Sequence, residues 1–288
     1  MLNDASFKTT VIGSYPKYPK LVGKDFNVKW LVSPGENLDK GWIDKENLKE
    51  LQDEAVRWAV NEQENSGIEI ISDGEQRRGN FLFYHCQNLE GFDFLNKKEK
   101  SLRGKSRTEL VPTVNSRIRH KQDYLVKDFN FAKALTNKEV KMTIAGPSTI
   151  VDSVFDLYYK DEKKLAIDVA RAIREEVNAL ASAGCRIIQF DEPVFIRERH
   201  KFIDYGIEAL EECFKGLSGM QIEVHICRGY PNKEKDVKAE KENYNEVIEA
   251  LSKSSIDRIS IEDAHEHLEQ DVFSSFGKKG VILGAVDI

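Results

Sequence analysis

Glu223-Val224-His225-Ile226-Cys227-Arg228-Gly229 reads as a strand that ends in a glycine turn. Side chains alternate along a strand, so His225 and Cys227, two apart, point to one face. An imidazole nitrogen and a thiolate sulfur are both good zinc donors, and a single ion can accept both. Spacing alone does not separate that pairing from ordinary core packing, where buried His and Cys are common.

Working outward, a helix over 205–217 leads into this strand through Gly219. A second helix, with Tyr244, Val247, Ile248 and Leu251 on one face, leads out of it to the strand Arg258-Ile259-Ser260-Ile261-Glu262. Upstream, Val140 to Ala145 reads as a strand stopped by Gly146-Pro147. The helix 161–183 that follows has a stripe of Leu165, Val169, Ile173, Val177 and Leu180, and Cys185 to Asp191 is the next strand. Strands start near residues 9, 68, 141, 186, 221, 258 and 281. Strands alternating with helices imply a parallel sheet, and seven in succession fit an α/β fold of the (β/α)8 TIM barrel type better than an open sheet. The eighth βα unit is expected to be missing, because the sequence stops on a strand. Residues 1–288 are expected to form one barrel domain, with the loosely patterned stretch at about 77–139 as an insertion. Within it the basic run from Lys97 to Lys105 reads as a solvated loop.

The chain has 288 residues, 40% hydrophobic and 32% charged, with a net charge of −6. That balance argues against a general nucleic-acid binder, which needs a basic face. No apolar run approaches the ~18 residues of a membrane span, and the start has neither the basic nor the apolar segment of a secretory signal. Cys86, Cys185, Cys213 and Cys227 are scattered without a disulfide-scaffold spacing. A cytoplasmic protein with reduced thiols is the expectation, with Cys185 and Cys213 serving as core.

The strand ends carry Gly13-Ser14, Asp73-Gly74-Glu75, Gly146-Pro147, Asp191-Glu192-Pro193, His225/Cys227, Glu262-Asp263 and Asp287. In a barrel these ends share the face on which chemistry sits. The competing account is that Asp73, Asp191 and Asp263 cap the helices that follow them. His265 and His267 read as the first turn of a solvated helix, and Arg77-Arg78 as exposed loop charges.

Taken in order, Thr10-Val11-Ile12-Gly13-Ser14-Tyr15-Pro16, Ser72-Asp73-Gly74-Glu75, Ala145-Gly146-Pro147, Ile188-Gln189-Phe190-Asp191-Glu192-Pro193, His225-Ile226-Cys227 and Ile259-Ser260-Ile261-Glu262 resemble the catalytic C-terminal barrel of the cobalamin-independent methionine synthase family. The likeness runs over nearly the whole chain and is closest to the short, single-barrel relatives. It implies a cytoplasmic methyltransferase that moves a methyl group onto the thiol of homocysteine to form methionine. It implies zinc as cofactor, bound by His225, Cys227 and Glu262, with a fourth ligand, a cysteine, expected beyond Ile288. Homocysteine's amino group would be held by Glu75 and Asp191, and its carboxylate by Ile12, Gly13 and Ser14. After Gly146-Pro147 the long enzymes carry a tryptophan that helps hold folate, whereas here Ser148-Thr149 follow. The methyl donor is therefore left open between a folate and a corrinoid protein. Zinc-dependent alkyl transfer to another thiol is the alternative within enzymes, and a non-catalytic small-molecule-binding barrel is the alternative outside them. Neither nucleic acid nor membrane is expected as a partner.

Overall fold

A computed structural model describes residues 7–23, 26, 42, 44, 46–102, 107–229, 242–264 and 267–286. Asp287, His265 and most of the connection over residues 24–45 lie outside these.

The elements in chain order are α1 (Leu48–Asn65), β1 (Ile70–Ile71), α2 (Phe83–Gln87), β2 (Leu89–Leu102), β3 (Arg107–His120), α3 (Leu125–Lys133), β4 (Glu139–Ala145), α4 (Pro147–Asp152), β5 (Phe155–Asp156), α5 (Glu162–Ser182), β6 (Ile187–Asp191), α6 (Val194–Arg197), α7 (Arg199–Lys201), α8 (Ile207–Glu212), β7 (Gln221–Ile226), α9 (Asn243–Ser252), β8 (Arg258–Glu262), α10 (Gln270–Ser274) and β9 (Gly280–Gly284). Among the described residues six strands form one parallel sheet in the order β1-β4-β6-β7-β8-β9, and Thr10, outside the named strands, adds a parallel bridge to Ile70 of β1. Each new strand joins the same growing edge, which is the winding of a TIM barrel and not of a doubly wound sheet.

A single contact shows that the sheet curls. Strands spaced ~4.8 Å apart would put Ile12 roughly 14 Å from β6 in a flat sheet, three positions away, beyond the reach of a glutamine side chain. Yet Gln189 Nε2 donates to the Ile12 carbonyl at 2.7 Å. Ile12 and β6 meet across the interior only because the sheet bends back on itself.

Buried apolar positions explain why these segments form. β6 is buried along its whole length, as expected for a parallel strand covered on both faces. Helix α5 starts at Asp161, which has an extended backbone and accepts the Lys164 N–H at 3.0 Å. Its stripe of Leu165, Val169, Ile173, Val177 and Leu180 is buried, and Gly184, at φ +93°, closes it.

Between β1 and β4 the chain leaves the barrel. β2 and β3 pair antiparallel over 14 residues each, with register shifts between Glu90 and Phe92 and between Asp93 and Lys98. The expected basic loop is thus largely strand. Lys97 to Leu102 belong to β2, and Lys100 reaches down to the Val151 and Val154 carbonyls at 3.0 and 2.8 Å. Residues 103–106 lie outside the described part. The helix expected over 205–217 is shorter and irregular: one π turn over Phe202–Gly206 passes into α8, which ends at Glu212. No helix among the described residues is long and apolar enough to cross a membrane.

Candidate functional site

The register decides which side chains meet inside the barrel. Asp191 on β6 lies opposite His225 on β7, and His225 lies opposite Ser260 on β8. One level lower, Gln189 lies opposite Glu223, and Glu223 opposite Arg258. Alternation then places Asp191 above Gln189, His225 and Cys227 above Glu223, and Glu262 above Ser260. The interior has a polar floor beneath a polar rim.

At the rim, three side-chain donors converge on Glu75. It follows Gly74 (φ +64°) and itself adopts φ +55°, a left-handed conformation that costs a non-glycine residue energy. Lys17 holds that turn in place by donating to the carbonyls of Glu75 (2.5 Å) and Arg78 (2.9 Å). The carboxylate, 2% exposed, accepts from Ser14 Oγ at 2.7 Å, Thr143 Oγ1 at 2.6 Å and Arg78 at 3.1 Å. Burial alone would raise its pKa, but the Arg78 charge and the two hydroxyl donors hold it below the ordinary carboxylate range. Arg78 is buried, pinned to Glu75 and to the Thr143 carbonyl at 2.9 Å. Arg77 pairs with Asp53 and, at 3.2 Å, with Asp128. Neither arginine is the exposed loop charge expected from sequence, because buried carboxylates are waiting for both.

Asp191 behaves oppositely. Burial, with the Glu75 charge second, pushes its carboxyl up to about 7, against a hydrogen bond from Gln189 at 2.7 Å. Glu192 faces away into the wall. It accepts the Ser148 and Thr149 N–H groups at 3.0 and 2.9 Å and the Thr149 hydroxyl at 2.7 Å, and burial pushes it up to about 8. Gly146 is required for this, since a Cβ there would stand 2.2 Å from the Glu192 carboxyl.

Of the expected turn, Ile12 offers its carbonyl to Gln189, Gly13 packs over the Glu75 carboxylate, and Ser14 donates to it. Helix capping does not account for the aspartates. Asp73 accepts the Glu75 N–H (2.9 Å) within a turn, and Asp191 accepts Gln189. Asp263 comes nearest to a cap, accepting the Leu268 N–H at 2.7 Å ahead of α10. His267 sits in that turn at φ +46°, before the helix begins at Gln270.

His225 on β7, Cys227 just past its end and Glu262 at the end of β8 lie at the rim, His225 level with Ser260 and one level below Cys227 and Glu262. His225 Nδ1 pairs with Ser260 Oγ at 3.1 Å. Burial, then the Lys141 charge, pushes its pKa down to about 4. The ring is therefore neutral near pH 7 and has a lone pair to give. Cys227 is buried beside Glu262, and burial followed by that carboxylate pushes its thiol up to about 12. A thiol next to an acid in a dry site is hard to ionise unless a cation is shared between them, and nitrogen, sulfur and oxygen are donor types that zinc accepts, but the ligand atoms of His225, Cys227 and Glu262 do not all lie within 4.8 Å of one another. Among the described residues, the His/Cys/Asp/Glu group whose ligand atoms all lie within 4.8 Å of one another is a different one: His120, Asp123 and Glu176. There Glu176 accepts the Tyr124 and Leu125 N–H groups at the start of α3 and pairs with His120 at 3.0 Å.

The family profile described as cobalamin-independent synthase, catalytic domain, matches residues 7–288. The chain belongs to the cobalamin-independent methionine synthase family. With the family comes the enzyme class, a methyltransferase of the methionine synthase type, which sets aside the non-catalytic barrel. A methionine synthase of Sulfurisphaera tokodaii is 30% identical over 97% of this chain and 75% of its own length. One from Saccharolobus solfataricus is 33% identical over 77% of this chain, which spans 62% of that relative. The solved structure of a B12-independent methionine synthase from Shewanella sp. W3-18-1 in complex with selenomethionine superposes with TM-score 0.81. It is 32% identical, and the match covers 97% of this chain and 80% of that one. A family named for its independence of cobalamin gives the corrinoid-protein donor no support.

Sequence reasoning gave no site role to Lys17, Thr143, Glu192 or the floor of Lys141, Gln189, Glu223 and Arg258, and read Arg78 as an exposed loop charge. The floor had a signal. Lys141 and Thr143 share a face of one strand, as Gln189 and Asp191 share a face of another, so a charged residue inside an apolar run points into the barrel.

Proposed function

We propose that this chain transfers a methyl group from a folate donor to the thiol of homocysteine, giving methionine, with zinc as cofactor. The observation that carries it is one rim bearing both an acidic clamp, Glu75 and Asp191, and a neutral-imidazole, thiol and carboxylate set, His225, Cys227 and Glu262. The unit proposed for this chemistry is one barrel domain, with the β2–β3 hairpin region as an insertion.

Glu75 stays ionised throughout and meets the substrate ammonium. Asp191, pushed up to about 7 by burial and by Glu75, gives up its proton when that ammonium arrives between the two carboxyls. The turn at Ile12, Gly13 and Ser14 brings backbone N–H groups toward the substrate carboxylate. Amine and carboxylate so held place the thiol over the β7 and β8 ends. Zinc held there by His225, Cys227 and Glu262 would keep the substrate sulfur as thiolate at neutral pH. The sulfur–carbon bond forms in line as the donor's nitrogen–methyl bond breaks, and the donor keeps that electron pair.

The relative solved with selenomethionine supports a pocket of this family that takes the methionine skeleton. The test is product formation by the purified protein from homocysteine and methyltetrahydropteroylglutamate, with coenzyme-type thiols as competing acceptors. Methionine formation is the expected result. Turnover confined to another thiol would replace homocysteine as acceptor.

A further inference from the structure

Lys141 sits inside the barrel on β4, wholly buried, where a lysine needs a reason. Its Nζ donates to Gln189 Oε1 at 2.7 Å and stands 3.6 Å from Glu223 Oε2. Glu223 in turn accepts from Gln221 at 2.6 Å and is 3.4 Å from Arg258. The Gln189 amide nitrogen donates twice, to Asp191 Oδ1 and to the Ile12 carbonyl, both at 2.7 Å.

An ammonium can only donate, and a carboxylate and a carbonyl can only accept. With Lys141 below, only one amide orientation works: oxygen down, NH2 up. The flipped amide would set N–H groups against Nζ and its oxygen against the Ile12 carbonyl. We propose that Lys141 is a positioning residue that, through Gln189, locks Asp191 and the Ile12 turn into one arrangement. This rests on the reading above, in which Asp191 holds the substrate amine and Ile12, Gly13 and Ser14 hold its carboxylate. One buried amide then sets the distance between the two ends of the amino-acid group, and so selects an α-amino acid over a thiol acid lacking the amine.

The test is calorimetric binding of L-methionine and of its deamino analogue 4-(methylthio)butanoate to the purified full chain and to two variants. Lys141→Met removes the donor at similar volume. Gln189→Met removes the amide yet keeps the Lys141–Glu223 pair, so it guards against a folding defect in the first. Loss of a hydrogen bond to a charged group predicts weakening of methionine binding by about tenfold or more in both variants. Binding of the analogue should weaken by clearly less than that of methionine, since it depends on the Ile12 turn but not on Asp191. A purely structural role would weaken both ligands alike, and that result overturns the proposal. So does undiminished preference for methionine in Gln189→Met. If the unaltered protein binds both ligands equally, the amine-holding role of Asp191 fails first and takes the proposal with it.

Discussion

Glu75 keeps its charge inside the protein because three donors converge on it, and Arg78 supplies the only formal positive charge among them. Replacing Arg78 with Met would leave a buried carboxylate without its ion pair, at a cost of about 3–5 kcal/mol. The pH dependence follows from the direction of the shift. In the native chain Glu75 is depressed below its ordinary 4.5. Its stabilising contribution is thus present above about pH 4.5 and lost as pH falls through the lower folded value. Without Arg78 burial dominates, the folded pKa rises above the unfolded one, and the group destabilises as pH climbs past 4.5. The stability gap between native and Arg78→Met proteins, measured by urea unfolding, should therefore widen from pH 4 to pH 7. A gap that narrowed would mean that Glu75 is not the group Arg78 serves.

Helix α5 shows most plainly what an element owes to its sequence. Its cap, stripe and terminal glycine were all legible, because each is a local signal: Asp161, then apolar residues every third or fourth position, then Gly184. Asp161→Ala should cost about 1 kcal/mol through the lost cap, and Ile173→Ala about 2–5 kcal/mol through the cavity it leaves. Both are readable as shifts in urea midpoint at unchanged slope. The β2–β3 hairpin was legible only as an insertion with some strand content, since its bulges break the period of two that would have marked Lys97 to Leu102 as strand. Glu176 ties this hairpin to α3 and α5 by accepting from Tyr124, Leu125 and His120. Its cluster with His120 and Asp123 is a joint on this account. Glu176→Gln should lower stability by about 1–3 kcal/mol while leaving the bound metal unchanged, as elemental analysis would show.

At the scale of the molecule, seven strand signals in chain order were enough for a barrel-type sheet, because parallel strands with helical crossovers allow few windings. The strand-end motifs were also legible: Glu75, Asp191, His225, Cys227 and Glu262 lie where alternation and strand termination put them. What joins them was not. Lys141 meets Glu223 across an intervening strand, Arg78 reaches Thr143 from 65 residues away, and Gln189 meets Ile12 from 177 residues away. Such partners exist only once the sheet has curled, and no local pattern announces them.

Zinc-edge X-ray absorption on the purified protein, before and after adding homocysteine, tests the central claim most directly. A zinc ion bound by His225, Cys227 and Glu262 should show mixed nitrogen or oxygen and sulfur coordination, with sulfur at about 2.3 Å. Homocysteine should raise the sulfur count by one, and Cys227→Ser should lower it by one. Absence of zinc, or a sulfur count indifferent to both homocysteine and Cys227→Ser, would contradict the account.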